Sequence, residues 1–517
     1  MRIPGAIAVV AVMLHAPFAI AAPPPAHVWA GDAATYTPFA RYGLEPRLHL
    51  AARVDGLRLG EGFTVDRYGT PFDYDAAINT QLRVGLQLER RWNWLRVLAE
   101  YEHDFLSGPV VGGGHIGGTG GQFVPDGDGY AEYGLRKLSA LVSFGPYVTL
   151  GGGFMTSHWG LGLIANDGAH GWTPGSGAFL DPRGGDRVLR ALLATGPHTS
   201  QRLTVFAAFD QVRNDDVLFP GDKAIQAIGG IKIGDVDLEP SRGKATDYEA
   251  GVYGVWRRQT ASDEDVTEVG VVDLYARYRL KLPREMSLDF AFEGAAIFGE
   301  TDLAPTTEFA KHDVLQLAAA LRVSFNGGPA GAVLDVLYAS GDRTVDDRSQ
   351  NAFKVDRNYE LGLMLYRQVI AAQTARSPVT AADRTLVGVP AEDLDRLPTR
   401  GNITNTIALF PRGWYRPIDG LELSAGVLIA LAEVDYADPF NSRLAGGSPR
   451  NPTDGTPGTY YGTEFDLGVR YRALLYGSEL TLGFEGAVFL PGNALRDANG
   501  GTPKAILGGR ITADYRF

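Results

Sequence analysis

The chain contains no cysteine at all. That absence removes disulfides, thiolate metal sites, thiol nucleophiles and a lipidated N-terminal anchor together. An excess of positive charge is missing too: 48 Lys and Arg stand against 60 Asp and Glu, for a net charge of -12. A nucleic-acid binder needs a basic face to displace counterions, so that class is set aside. Beyond the leader no run approaches ~18 uninterrupted apolar residues, so no transmembrane helix is expected. Histidine is sparse, with nine in the chain, and a chance Ser-His neighbour pair is therefore a weak signal of catalysis.

What is present begins with a leader. Arg2, the apolar run AIAVVAVMLHAPFAI and the small residues Ala19 and Ala21 read as a signal peptide over residues 1–21. Residues 22–46, which include PPPAHVW, read as a flexible periplasmic segment. Residues 47–517 then read as one body, with too little chain before Arg47 for a plug domain.

The dominant pattern in that body has period two. In INTQLRVGLQLER, Ile78, Thr80, Leu82, Val84, Leu86 and Leu88 share one face, and Asn79, Gln81, Arg83, Gln87 and Glu89 share the other. VVDLYARYRLK sets Val272, Leu274 and Tyr278 against Asp273, Tyr275, Arg277 and Arg279. The same alternation recurs to the end, in KAILGGRITADYRF. The segments are longer than the ~5–6 residues of an ordinary globular strand. They match what a tilted strand needs to cross a bilayer. Turn signals such as Gly145-Pro146, LPRE from Leu282, NGGP from Asn326 and RPIDG from Arg416 separate some strands. Others are separated by long Gly-, Asp- and Asn-rich stretches: 108–129, 157–186, 214–246, 342–401 and 436–462. This predicts an all-β fold: a transmembrane antiparallel β-barrel of about 18 strands, sixteen to twenty being admissible, with short periplasmic turns and long extracellular loops. Parity requires a strand in DKAIQAIGGIKIGD and places DRNYELGLMLYRQV in a loop folded into the barrel.

The chain after the leader resembles a bacterial outer-membrane β-barrel of porin type. The end, TADYRF, is similar to the terminal strand of that class, and the resemblance implies that Phe517 is an assembly signal read by the barrel-assembly machinery. YYGTEFDLGVRYRALLYGSELTLGFEGAVFLPGNAL resembles the last hairpin of alginate-export-type porins at Tyr471, Arg472, Phe489, Pro491 and Gly492. The implied setting is the outer membrane, with lipid outside and a small polar solute inside.

Within HWGLGLIANDGAHGW, Gly160, Gly162 and Ala165 spell G-x-G-x-x-A, the form of a dinucleotide cradle. The NDGAHGWTPGSG that follows cannot be the required helix, so the stretch reads as a strand end entering an external loop, with Trp159 and Trp172 at the outer lipid interface. Ser157 and His158 suggest a lipase, but strand neighbours point to opposite faces. Acidic stretches at 126–129 and 342–351 read as solvated loop tips rather than calcium sites, because their spacing does not match an EF-hand. No cofactor, no metal and no catalytic residue is expected.

The function expected is therefore a porin or channel, not an enzyme, passing small or oligomeric polar solutes by diffusion. Lumen and selectivity candidates are Arg83, Arg96, Glu100, Glu102, Arg277, Arg279, Asp289, Glu293, Arg470 and Arg510. Charge pairing across neighbouring strands is their simplest role; a ladder of Arg forks for a solute's oxyanions is the sharper one. Segment 342–401 carries an apolar stripe, Tyr359, Leu361, Leu363 and Leu365, and is expected to constrict the pore through Asp356, Arg357, Glu360 and Arg367. The alternatives are a barrel-embedded hydrolase, which needs a nucleophile–base pair at one rim, and a surface adhesin, which needs a blocked lumen.

Overall fold

The computed structural model describes residues 44–58, 63–116, 121–123, 134–179, 184–218, 221–237, 245–261, 264–284, 286–302, 309–344, 347–375, 399, 401–475 and 478–517. The leader and most of the N-terminal segment lie outside these. Eighteen long strands run in chain order. They are β1 (Leu44–Arg58), β2 (Phe72–Arg91), β3 (Leu95–Ile116), β4 (Gly134–Phe144), β5 (Val148–Thr156) and β6 (Arg187–His198). The middle third is β7 (Leu203–Asn214), β8 (Lys223–Gly234), β9 (Tyr248–Thr260), β10 (Val266–Lys281), β11 (Ser287–Thr301) and β12 (His312–Asn326). The last third is β13 (Ala330–Ala339), β14 (Thr406–Ile418), β15 (Leu421–Leu431), β16 (Tyr460–Leu475), β17 (Ser478–Pro491) and β18 (Ile506–Arg516).

Each spanning strand pairs antiparallel with its sequence neighbours, and β18 pairs back onto β1 from His49↔Arg516 to Arg58↔Leu507. The sheet is closed, so no spanning strand is left with an unpaired edge in the bilayer. Phe517 extends the seam: its N–H donates to the Leu48 carbonyl at 2.9 Å, and Leu48 N–H donates back at 3.0 Å. β1 begins at Leu44, slightly ahead of the expected Arg47.

Alternation sorts the side chains as the sequence predicts. Val272, Leu274 and Tyr278 of β10 face outward and are exposed to the lipid side, while Asp273 and Tyr275 are buried inside. Trp92 and Trp94 in one short turn, with Tyr147 in the next, put aromatic rings at the level where indoles and phenols favour the membrane–water boundary. Short connections span 92–94, 145–147, 199–202, 282–286, 327–329, 419–420 and 476–477. The strand that parity requires in DKAIQAIGGIKIGD is β8, which divides segment 214–246 into a short connection at 215–222 and a longer one at 235–247 on the periplasmic side.

The barrel has an interior core. Loop 340–405 packs Phe353, Val355, Tyr359, Leu361, Leu363 and Leu365 against Leu337, Phe410, Leu428 and Phe489 of β13, β14, β15 and β17. The stripe foreseen at 359–365 is therefore buried, in a π-helical turn Leu365–Ile370 and the residues before it. Burial at roughly 1.5–3 kcal/mol per large apolar side chain explains why this loop enters the barrel rather than standing in water.

Candidate functional site

The inner wall carries arginine–carboxylate pairs between adjacent strands. Arg83 of β2 forks onto Asp104 of β3, with Nε donating to Oδ1 at 2.6 Å and Nη2 to Oδ2 at 2.9 Å. Arg190 of β6 forks onto Asp210 of β7 at 2.7 Å on both arms. Asp335 of β13 is shared by Arg322 and Arg412 from the strands on either side. Glu485 of β17 is shared in the same way by Arg470 and Arg510. Arg277 and Arg279 both donate to Asp289, and Arg96 to Glu89. Glu102 takes Arg136 at 2.7 Å, while Glu100 is half-buried on the same strand. Most named lumen candidates thus lie in cross-strand pairs. Arg136, Arg190, Asp210, Asp335 and Arg412 belong to the same wall and were not singled out from sequence. Period two gave them little signal: Asp335 and Arg412 share their inward faces with Val333, Leu337, Ala408 and Phe410, and Arg136 sits where the β3–β4 register shifts.

Two loops fold inward, and each is captured by one wall carboxylate. Glu293 of β11 accepts backbone N–H groups from Leu161, Gly162 and Leu163, the latter two at 3.0 Å. Glu464 of β16 accepts from Leu363, Met364 and Leu365, the last two at 2.9 and 2.8 Å. The segments share Leu-Gly-Leu, at 161–163 and 361–363. Gly162 and Gly362 take φ of 88° and 71°, which curls successive N–H groups toward one point. At Gly160 and Gly362 a Cβ would strike the carboxylate itself, at 2.4 and 2.8 Å. The G-x-G pattern does cradle a carboxyl group, and that carboxyl is the protein's own Glu293.

Loop 157–186 therefore crosses the lumen, against the expectation of an external loop. Trp159 Nε1 donates to Asp273 at 3.1 Å, and Trp172 Nε1 to Glu422 at 3.2 Å near the periplasmic end of β15. Arg470 lies over the Trp172 ring at 5.2 Å. Neither indole is at the lipid interface. An amphipathic ring suits both places, and the inner wall supplies the acceptors that decide. Ser157 Oγ accepts from Arg190 Nη2 at 2.8 Å, and the His158 ring stacks on His170, so the two are not arranged as nucleophile and base.

Between loop 157–186 and the wall of β5–β12 lies a cavity of about 510 Å³. It runs from Thr267 and Thr301, at the outer ends of their strands, inward to Phe206 and Tyr253. Arg190, Arg257 and Lys354 line it with Asp186, Asp215, Asp216 and Asp356. Burial, then the neighbouring carboxylates Asp215 and Asp216, push the Asp186 carboxyl well above its ordinary range. Asp356 is raised likewise, by burial and then by Asp216 and Asp186. His158, also on the lining, is lowered to about 4 by burial and by the adjacent His170. Of the four residues expected at a constriction, Asp356 faces this cavity and Arg357 pairs with Asp216 at 2.8 Å. Glu360 and Arg367 instead pair with each other at 2.5 Å, within the loop core.

A closed 18-stranded barrel with an apolar belt outside and a charged, loop-narrowed interior is an outer-membrane β-barrel of porin type in architecture. Among solved structures, OccAB1 of Acinetobacter baumannii shares that fold, with a TM-score of 0.50 at 12% identity over 92% of this chain and 96% of that one. A BenF-like porin from Pseudomonas fluorescens Pf-5 gives 0.49 at 10% identity, over 92% and 98%. The outer membrane protein OprD of Pseudomonas aeruginosa gives 0.48 at 13%, over 91% and 94%. No protein-family model and no curated protein matches the sequence.

Proposed function

We propose that the protein is a passive channel of the bacterial outer membrane for small or oligomeric polar solutes. The observation that carries this reading is the cavity of about 510 Å³, bounded by a charged wall and an inward loop inside a closed barrel. Its volume falls in the range of small-molecule sites. Its lining mixes three cationic side chains with four carboxylates, which suits a hydrogen-bonding or zwitterionic solute better than a single-sign filter.

In this reading Arg83, Arg470 and Arg510 keep the wall rigid, because both ends of each pair are anchored on strands. Selectivity falls to the charges that reach the cavity: Arg190, Arg257, Lys354 and the four aspartates. Loop 340–405 narrows the lumen by filling its β13–β17 side, and Asp356 is its contribution to the solute path. Phe517 serves assembly of the barrel. The likeness of the last hairpin to alginate-export-type porins supports the porin reading and names no solute.

Single-channel recording in planar bilayers tests the reading. Discrete conductance steps, with uptake of small polar solutes into liposomes, are expected. A correctly assembled barrel that conducts nothing would overturn it in favour of a scaffold.

A further inference from the structure

Loop 157–186 holds a second cluster that the channel reading does not use. His158, Asp167 and His170 present three ligand-type atoms that all lie within 4.8 Å of one another. Nδ1 of His170 is 2.9 Å from Asp167 Oδ1, and Nδ1 of His158 is 4.0 Å from the same atom. A tetrahedral zinc ion with bonds of about 2.0–2.2 Å sets its ligand atoms about 3.4 Å apart. The two measured distances bracket that value. We propose that His158, Asp167 and His170 form a site for a divalent transition metal of the zinc or copper(II) class, at the edge of the lumen cavity.

The surroundings fit an ion site. Arg136 donates to the main-chain oxygen of Asp167 at 2.6 Å and also to that of Gly184, which pins the central ligand's backbone to β4. The His158 and His170 rings are stacked, with centroids 3.7 Å apart and planes at 22°. Since a metal lies in the plane of each ligating ring, one ring must turn. His170 is the one free to do so: its side chain is 57% exposed, and it sits between Gly168 and Gly171.

Imidazole and carboxylate donors select zinc, copper(II) or nickel over magnesium and calcium. Three protein ligands leave a coordination position open to solvent, and His158 lines the cavity, so a bound ion would present that position and net positive charge to a passing solute.

The test uses the full mature barrel, purified without a histidine tag and checked for heat-modifiable migration. Titration with zinc chloride, followed calorimetrically, is expected to show one saturable site in the micromolar range. His170→Ala, an exposed substitution, should weaken it at least about tenfold, and Asp167→Asn likewise. His198→Ala, at the periplasmic end of β6, should leave it unchanged. Absence of saturable zinc binding in the wild type, or binding by His170→Ala as tight as wild type, would overturn the site.

Discussion

Replacing Glu293 with Ala probes how the inward loop is held. The change removes an acceptor for three backbone N–H groups at once. A buried donor left without its acceptor costs about 1–3 kcal/mol. Water entering the emptied space would re-satisfy some of the donors, so a net loss of roughly 3 kcal/mol for loop docking is a conservative figure. At 1.4 kcal/mol per decade, that shifts the docked-to-released ratio of loop 157–186 on the order of a hundredfold. The barrel should survive, because its strands are paired independently of this loop. Single-channel records are expected to show a larger mean conductance and more open-channel noise, and protease should cut within 157–186 from outside. Glu293→Gln should be milder. Its single carbonyl oxygen can still serve Leu161 and Gly162, but its NH2 then faces Leu163 N–H. If Glu293→Ala, assembled and heat-modifiable, matches wild type in conductance, noise and protease resistance, the capture of this loop by a wall carboxylate is refuted.

Other outcomes follow from the same geometry. Arg83→Ala leaves Asp104 buried without its fork and should destabilise the barrel by about 3–5 kcal/mol in urea unfolding. Deleting Phe517, or replacing it with Asp, should lower surface assembly while leaving export intact, as read by immunoblot of membrane fractions. On acidification Asp186 and Asp356 should protonate at a higher pH than ordinary carboxylates. Cation preference measured by reversal potential should fall with them, and Asp186→Asn with Asp356→Asn should flatten that dependence. Asp342, raised to about 6 by burial, favours its protonated form in the packed loop. Its contribution to loop packing is therefore fully present below pH ~4 and lost as pH rises through about 6, so protease should cut loop 340–405 faster at pH 7.5 than at pH 5, except in Asp342→Asn.

The strands were legible because two solvents write on one chain. Lipid accepts Val272, Leu274 and Tyr278, the wet lumen demands Asp273 and Arg277, and a pleated strand must alternate between them. The same parity found β8 and kept 356–369 out of the wall. The destination of the loops was only half legible. The stripe at 359–365 announced burial by its own hydrophobicity. Segment 157–186 gave no such notice, because what draws it inward is Glu293, more than a hundred residues away in sequence. A tryptophan reads the same at a membrane boundary and beside a wall carboxylate, so Trp159 and Trp172 could not decide the matter alone. The one clue in the sequence was Leu-Gly-Leu occurring twice, against two glutamates on inward phases. Glu360 and Arg367 were placed in the right loop, but they satisfy each other, and pairing of that kind depends on side-chain packing that no period reveals.

The lumen is asymmetric in its contents: one side is solid protein, built from loop 340–405 against β13–β17, and the other holds the cavity against β5–β12. A mutational survey of this barrel should therefore divide by strand number. Inward positions on β13–β17 belong to a close-packed interior, where a change of one methylene is felt. Inward positions such as Ile228, Val255 and Gln316 border open space, where side-chain size and charge can drift without disturbing the scaffold. A lineage could retune what passes by editing one arc of the wall while the opposite arc stands still, and a laboratory library confined to that arc should retain assembled barrels at a far higher rate than one spread around the ring.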